Sequence, residues 1–284
     1  QPAAPDKVIY FRLAQHGLHA SGRQVYLKHG IINNAMDWLH HGSLYIDLFA
    51  CGAEPEYEHI RSTYGFPDGV VRYLGLCRYD SLQNPGSGER MILLMPTWRG
   101  SDYPSGDAFY DTDYCRSFRS LLASPELVRL LEESDTHLVF YPHIEMQRYI
   151  DCFRAGSDRI VIADAGSHDV QELLRNCAVL ITDHSSVFFD VAYLGKPVIY
   201  YQFDEEEFRA KHYKAGYFDG RRDGFGPVCT GEAELLSALR HCIESGMVPD
   251  AEYRQRAERF FPLRDKNNCS RTYEAVREIT SERR

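Results

Sequence analysis

A chain of 284 residues holds one large or two modest domains, and 44% hydrophobic with 26% charged residues is ordinary for a globular protein. A net charge of −9 argues against broad nucleic-acid binding, while a local basic patch still suits an anionic substrate. No apolar run approaches the roughly 18 residues of a membrane-spanning helix, and the opening QPAAPDKVIYFRLAQHG lacks the basic region and long apolar run of a signal peptide.

Because it starts at Gln1 rather than Met, the chain is read as lacking its natural start. The eight cysteines (51, 77, 115, 152, 177, 229, 242 and 269) form no C-x-x-C pair and are expected as reduced thiols of a cytoplasmic protein. Along the chain, RQVYLKHG (23–30) and SLYIDLFACG (43–52) read as strands, PEYEHIRSTYG as a short helix and VVRYLGL as a third strand. SLQNPGSGER (81–90), rich in Gly, Pro, Ser and Asn, is the linker candidate. MILLMPTW then reads as a buried strand, followed by helices at YCRSFRSLLAS and PELVRLLEES. Strands HLVFYPH and RIVIAD, helix DVQELLRNC, strand VLITD, helix VFFDVAYLG and strand PVIYY come next, and helices EAELLSALRHCIESG and DAEYRQRAERFF close the pattern. Strands alternating with helices predict βαβ units and a parallel sheet, and continuously apolar strands predict a sheet covered on both faces.

Chemistry-bearing residues share an address in this scheme. Thr97, Trp98 and Arg99 follow MILLMP, His143 follows LVFYP, Asp183, His184, Ser185 and Ser186 follow VLIT, and His29 follows RQVYLK. Each cluster sits past the carboxyl end of a predicted strand, the edge where open α/β sheets bind ligands. Ser185 or Ser186 suits the N-cap of the helix VFFDVAYL, where unpaired N–H groups and hydroxyls together seat a phosphate; the same serines also fit a plain cap. Asp183 fits a turn residue bonding its own backbone, and Asp190 is either a solvent-facing helix position or part of the site. Arg99 suits bidentate contact with phosphate or else a surface salt bridge. His143 is either a donor to a diphosphate or a capped turn histidine. His29 precedes Gly30, which lets a ligand approach the backbone, and an imidazole of ordinary pKa accepts a hydroxyl proton near neutrality. His16, His19, His40 and His41 read as surface or turn residues. The acidic run 204–207 reads as a solvated loop and helix start, with Asp204 facing the site because it follows PVIYY. The basic stretch with Arg254, Arg256, Arg259 and Arg264 reads as a solvated helix face, a weak candidate for membrane contact.

Taken together, ILLMPTWR, the His after LVFYP, the run from DVQELL through VLITDHSSVFFDVAYLGKPVIYY, and GYFDGRRDGFGPVC resemble the CDP-glycerol glycerophosphotransferase family, which includes teichoic acid and capsule polymerases. His184 stands where the family usually has Tyr, Lys28 in YLKHGI where it has Trp, and Cys77 in YLGLCRYDSL where it has Pro. PLRDKNNCSRTYEAV resembles the closing element, which usually reads Asp-Gly before its Ser-x-Arg.

The resemblance implies an α/β, GT-B-like fold of two Rossmann-like domains with a cleft between. Residues 1–85 would form an N-terminal acceptor-side domain, short or truncated; residues 86–260 would form the nucleotide-donor domain, and 261–284 a helix crossing back to the first. It implies transfer of glycerol phosphate, or a related alditol phosphate, from CDP-glycerol to a hydroxyl of a teichoic-acid-like or capsular polymer or lipid-linked primer, with CMP leaving. His29 would be the base. Thr97, Arg99, His143, Ser185 and Ser186 would hold the donor phosphates, with Asp183, His184, Asp190 and Asp204 in support. No carboxylate pair has the spacing of a sugar-nucleotide metal site, so no metal or cofactor is expected. The place of work would be the cytoplasm, at the inner face of the membrane. Two alternatives stay open: a GT-B glycosyltransferase using a UDP- or GDP-sugar, and a non-catalytic nucleotide-binding protein.

Overall fold

The computed structural model describes residues 22–84, 86, 90–100, 103–211 and 214–281. The N-terminal stretch with His16 and His19, and residues 85 and 87–89 of the linker candidate, lie outside the described residues. The chain divides into two compact units, 1–83 with 259–284, and 84–258.

The first unit holds a parallel sheet in the order β1-β2-β3, from Val25–Leu27 (β1), Leu48–Cys51 (β2) and Val71–Tyr73 (β3). Helix α1 (Glu54–Thr63) follows β2, and the short α2 (Arg78–Leu82) follows β3. All four residues of β2 are buried, because side chains alternate across the sheet and both faces are covered. Phe49 and Cys51 pack with Ile60, Tyr64 and Phe66, and Leu48 and Ala50 pack with Ala275 and Ile279. The latter two belong to the C-terminal helix, Asn268–Ser281, which buries Asn268, Thr272, Ala275 and Ile279 at helical spacing. That helix begins against the sheet. Asp80 accepts from Asn268 N at 3.0 Å, Asn268 Nδ2 at 2.6 Å and Cys269 N at 2.8 Å. Gly75, at φ 79°, leaves room for Asn268, whose Oδ1 would lie 1.8 Å from a Cβ built there. Two sequence elements of the resemblance, GLCRYDSL and DKNNCSRTYEAV, therefore meet each other.

The second unit carries a six-stranded parallel sheet in the order β6-β5-β4-β7-β8-β9. Its strands are Met91–Leu94 (β4), His137–Phe140 (β5), Ile160–Ile162 (β6), Cys177–Thr182 (β7), Val198–Tyr201 (β8) and Val228–Cys229 (β9). Helices α3 (Asp113–Ala123) and α4 (Pro125–Glu133) lie between β4 and β5, and α5 (Val170–Asn176) leads directly into β7. Then come α6 (Phe188–Tyr193), α7 (Glu205–Lys211), α8 (Gly220–Asp223), α9 (Glu232–Glu244) and α10 (Ala251–Phe260), and the C-terminal helix of the first unit is α11. One sheet face, with Ile92, Leu94, Val179, Ile181, Ile199 and Tyr201, joins Phe118, Leu122, Leu131, Leu235 and Leu239 in the main core. On the other, Tyr200 meets Phe188 of α6, with ring centroids 5.1 Å apart.

The local structure departs from the sequence reading at several points. The N-cap of α6 is Val187, with no side-chain cap, so neither Ser185 nor Ser186 is the cap. Asp190 is 3% exposed, which rules out a solvent-facing position. Asp204 is buried rather than part of a solvated loop, and Gly30 is buried as well. All eight cysteines are free thiols. No helix among the described residues is long and apolar enough to cross a membrane.

Candidate functional site

In the second unit the chain runs outward from the central β4 to β5 and β6, then returns to β7 on the other side of β4. The gap between β4 and β7 at their carboxyl ends is a topological switch point, where the loops diverge and leave a crevice. Thr97 follows β4, Ser185 and Ser186 follow β7, and His143 follows the neighbouring β5.

These loops are tied to each other. Thr182 Oγ1 donates to Met95 O at 2.7 Å. Asp183, fully buried, accepts at Oδ1 from Thr97 N at 2.8 Å and from His184 N at 2.6 Å. Its Oδ2 lies 2.8 Å from Arg99 NH1, an ion pair whose alignment falls short of a good hydrogen bond. Arg99 also donates from Nε to Asp204 Oδ2 at 2.6 Å, from NH2 to Asp204 Oδ1 at 3.2 Å and from NH1 to Thr97 O at 2.9 Å. The guanidinium is 6% exposed as part of its residue and sits 4.9 Å from the Tyr114 ring and 5.5 Å from that of Phe208. Arg99 is therefore neither a surface salt bridge nor turned outward to a phosphate. Its planar fork is spent on two carboxylates, binding the loops after β4, β7 and β8 into one cluster.

Electrostatics follow from that cage. Burial works against the charge of Arg99, but Asp183 and Asp204 more than offset it and hold its pKa above the ordinary value. Burial also pushes Asp204 upward; the neighbouring His184 ring and the Arg99 charge outweigh it, leaving its pKa lowered. His184 is stacked on Phe208 at 3.9 Å between centroids, with Nε2 3.6 Å from Asp204 Oδ1 and Nδ1 3.4 Å from Gln202 Nε2. Gln202 Nε2 donates in turn to Asp183 O at 3.0 Å.

Groups of another character line the same edge. Ser185, Ser186 and Thr97 are half-buried, and Ser185 Oγ accepts from Val187 N at 3.5 Å. His143 opens the 3-10 segment Ile144–Cys152, and its Nδ1 accepts from Glu145 N at 3.2 Å. In the neutral ring that acceptor places the proton on Nε2. Burial lowers the His143 pKa, so the neutral Nε2–H form prevails near pH 7. Trp98 stacks on His143, with centroids 6.0 Å apart. In the first unit, His29 is exposed just past β1, and Arg78 NH1 donates to its carbonyl.

Loop position in the sequence pointed to Thr97, His143, Asp183, Ser185, Ser186 and Asp204. It did not disclose Gln202 or the rings of Tyr114, Phe203 and Phe208 around Arg99, because contacts between separate loops leave no periodic trace. Among the described residues, no group of three or more His, Cys, Asp or Glu is placed to hold a metal ion.

The model of the CDP-Glycerol:Poly(glycerophosphate) glycerophosphotransferase family matches residues 78–278. The minor teichoic acid biosynthesis protein GgaB of Bacillus subtilis (strain 168) is 32% identical over 267 residues, which cover 90% of this chain and 29% of that protein. The teichoic acid poly(glycerol phosphate) polymerase of the same strain is 29% identical over 156 residues, 54% of this chain and 19% of that protein. The chain thus spans less than a third of the length of these relatives. Among solved structures, the wall teichoic acid polymerase TagF aligns with a TM-score of 0.60 at 21% identity, covering 84% of this chain and 59% of that one. At that identity the likeness establishes the fold, a mixed α/β architecture with parallel sheets.

Proposed function

Since the chain belongs to the CDP-glycerol:poly(glycerophosphate) glycerophosphotransferase family, we propose that it transfers glycerol phosphate, or a related alditol phosphate, from CDP-glycerol to a hydroxyl of a teichoic-acid-like or capsular polymer. The observation that carries this reading is the meeting of Thr97, His143, Ser185 and Ser186 at the carboxyl edge of β4, β5 and β7, beside the switch point.

In this reading the acceptor hydroxyl attacks the β-phosphorus and CMP leaves. The neutral Nε2–H of His143 donates to the diphosphate, and the hydroxyls of Thr97, Ser185 and Ser186 hold its oxygens. Such preorganised donors are the largest part of phosphoryl-transfer catalysis, and removing one costs on the order of 3 kcal/mol, a hundredfold or more in rate. His29 takes the acceptor proton, an effect on the order of 10²- to 10⁴-fold. Arg99, Asp183, His184 and Asp204 act behind them by fixing the loops, and buried Asp190 belongs to the support of α6. No resident cofactor is invoked. In this reading the acceptor is polymeric or lipid-linked, the work is cytoplasmic, and nucleic acid is not invoked as a partner.

The test is nucleotide release from CDP-glycerol with a glycerol-phosphate primer, alongside CDP-ribitol and a panel of UDP- and GDP-sugars. CMP release that requires primer and falls at least a hundredfold in His143→Ala and His29→Ala supports the reading. UDP or GDP release instead makes the chain a glycosyltransferase, and binding of CDP-glycerol with no release makes it a binding protein.

A further inference from the structure

Lys28 is the residue that departs most in character from the resemblance, an ammonium where an indole is usual, yet it is not on the surface. Its side chain is 2% exposed and its ammonium meets Oε2 of Glu56, a side chain with no exposure. Burying two charges carries a desolvation penalty that hydrophobic replacements avoid, so such a pair is not explained by stability alone.

The remaining contacts of Glu56 indicate another role. Its Oε1 accepts from Ile32 N at 2.6 Å, and its Oε2 accepts from Gly52 N at 2.8 Å. One carboxylate on the first turn of α1 therefore grips the loop after β1 at both ends, through the Lys28 side chain and the Ile32 amide, and pins it to the loop after β2. Gly52 permits this closeness: a Cβ there would lie 2.6 Å from Ile31 Cδ1 and 2.6 Å from Leu76 Cγ. A third hold comes from Arg78 at the His29 carbonyl. Within the pinned span Gly30, Ile31 and Ile32 are buried, and His29 alone is exposed.

We infer that the Lys28–Glu56 ion pair is a positioning device that fixes the backbone under His29 and so presents its imidazole in one place to the acceptor hydroxyl. The inference rests on the transferase reading for the role of His29, but the clamp itself is a property of the first unit. Prepaying the order of a reacting group matters because a displacement of about 1 Å costs up to roughly a hundredfold in rate.

The experiment uses the full chain with Lys28→Met and Glu56→Gln combined, which removes both charges and strands neither. Glu56→Asp keeps the charge with a shorter reach and serves where the double variant fails to fold. Hydrogen exchange of the peptide spanning 28–33 is expected to rise at least tenfold at unchanged thermal midpoint. CMP release is expected to fall roughly 10- to 100-fold in kcat, with KM for CDP-glycerol unchanged. In a His29→Ala background the same change is expected to cost nothing more. Unchanged exchange in 28–33, or an equal rate loss with and without His29, overturns the inference. If the wild type releases no CMP, the transferase reading falls, and the exchange measurement alone decides whether the clamp exists.

Discussion

Arg99 carries its charge where water does not reach, and its neighbours decide what that charge does. Removing it leaves Asp183 and Asp204 buried without a counter-charge. Arg99→Gln is therefore expected to lower stability by about 3–5 kcal/mol, read from urea unfolding. Arg99→Lys, a single point of charge facing two carboxylates, should fall between the two. His143 presents the opposite case. Burial lowers its pKa from 6.5, so the folded chain binds this proton less readily than the unfolded chain. The stability tied to its neutral form is present above the ordinary imidazole range and is lost as pH falls below it. An NMR titration should place its midpoint below 6.5, with the neutral ring protonated on Nε2. Which of these residues lay near the site was legible from their places after apolar strands. What each one touched was not, because Arg99 and Asp204 are 105 positions apart in sequence, and only the folded sheet makes them neighbours.

At the level of elements, alternation of apolar runs with helical periods was enough to read the parallel sheets. The elements it missed are those without a period. Arg78–Leu82 is a five-residue helix, and Ile144–Cys152 is a 3-10 segment. Asp80 shows why the short helix matters, since its carboxylate takes N–H groups from the first turn of α11. Asp80→Asn is expected to remove about 1 kcal/mol of capping and to speed hydrogen exchange in α11 ahead of the strands of the second unit. The pH dependence has a defined sign. Burial pushes the Asp80 carboxyl up, but the bonds from Cys269 and Asn268 outweigh it and leave its pKa lowered from 3.8. Its contribution is thus whole above the ordinary carboxylate range and is lost as pH falls through the lowered value, so α11 should loosen in acid before the second unit unfolds.

For the whole molecule, the division into two units and the scattered free thiols have a joint consequence. Cys51 is buried in the first unit, and Cys115, Cys152, Cys177, Cys229 and Cys242 are buried in the second; Cys77 is half-buried and Cys269 exposed. Burial also pushes Cys177 and Cys229 up to about 11 and Cys242 to about 12, so in the folded chain these sulfurs are shielded and protonated, and neither state reacts with an alkylating reagent. Each unit thereby carries its own internal clock. Modification at Cys51 times the opening of one unit, and modification at Cys177 that of the other. Comparing the two rates in a single quenched sample, resolved by peptide mass, tells whether the chain opens as one cooperative body or as two.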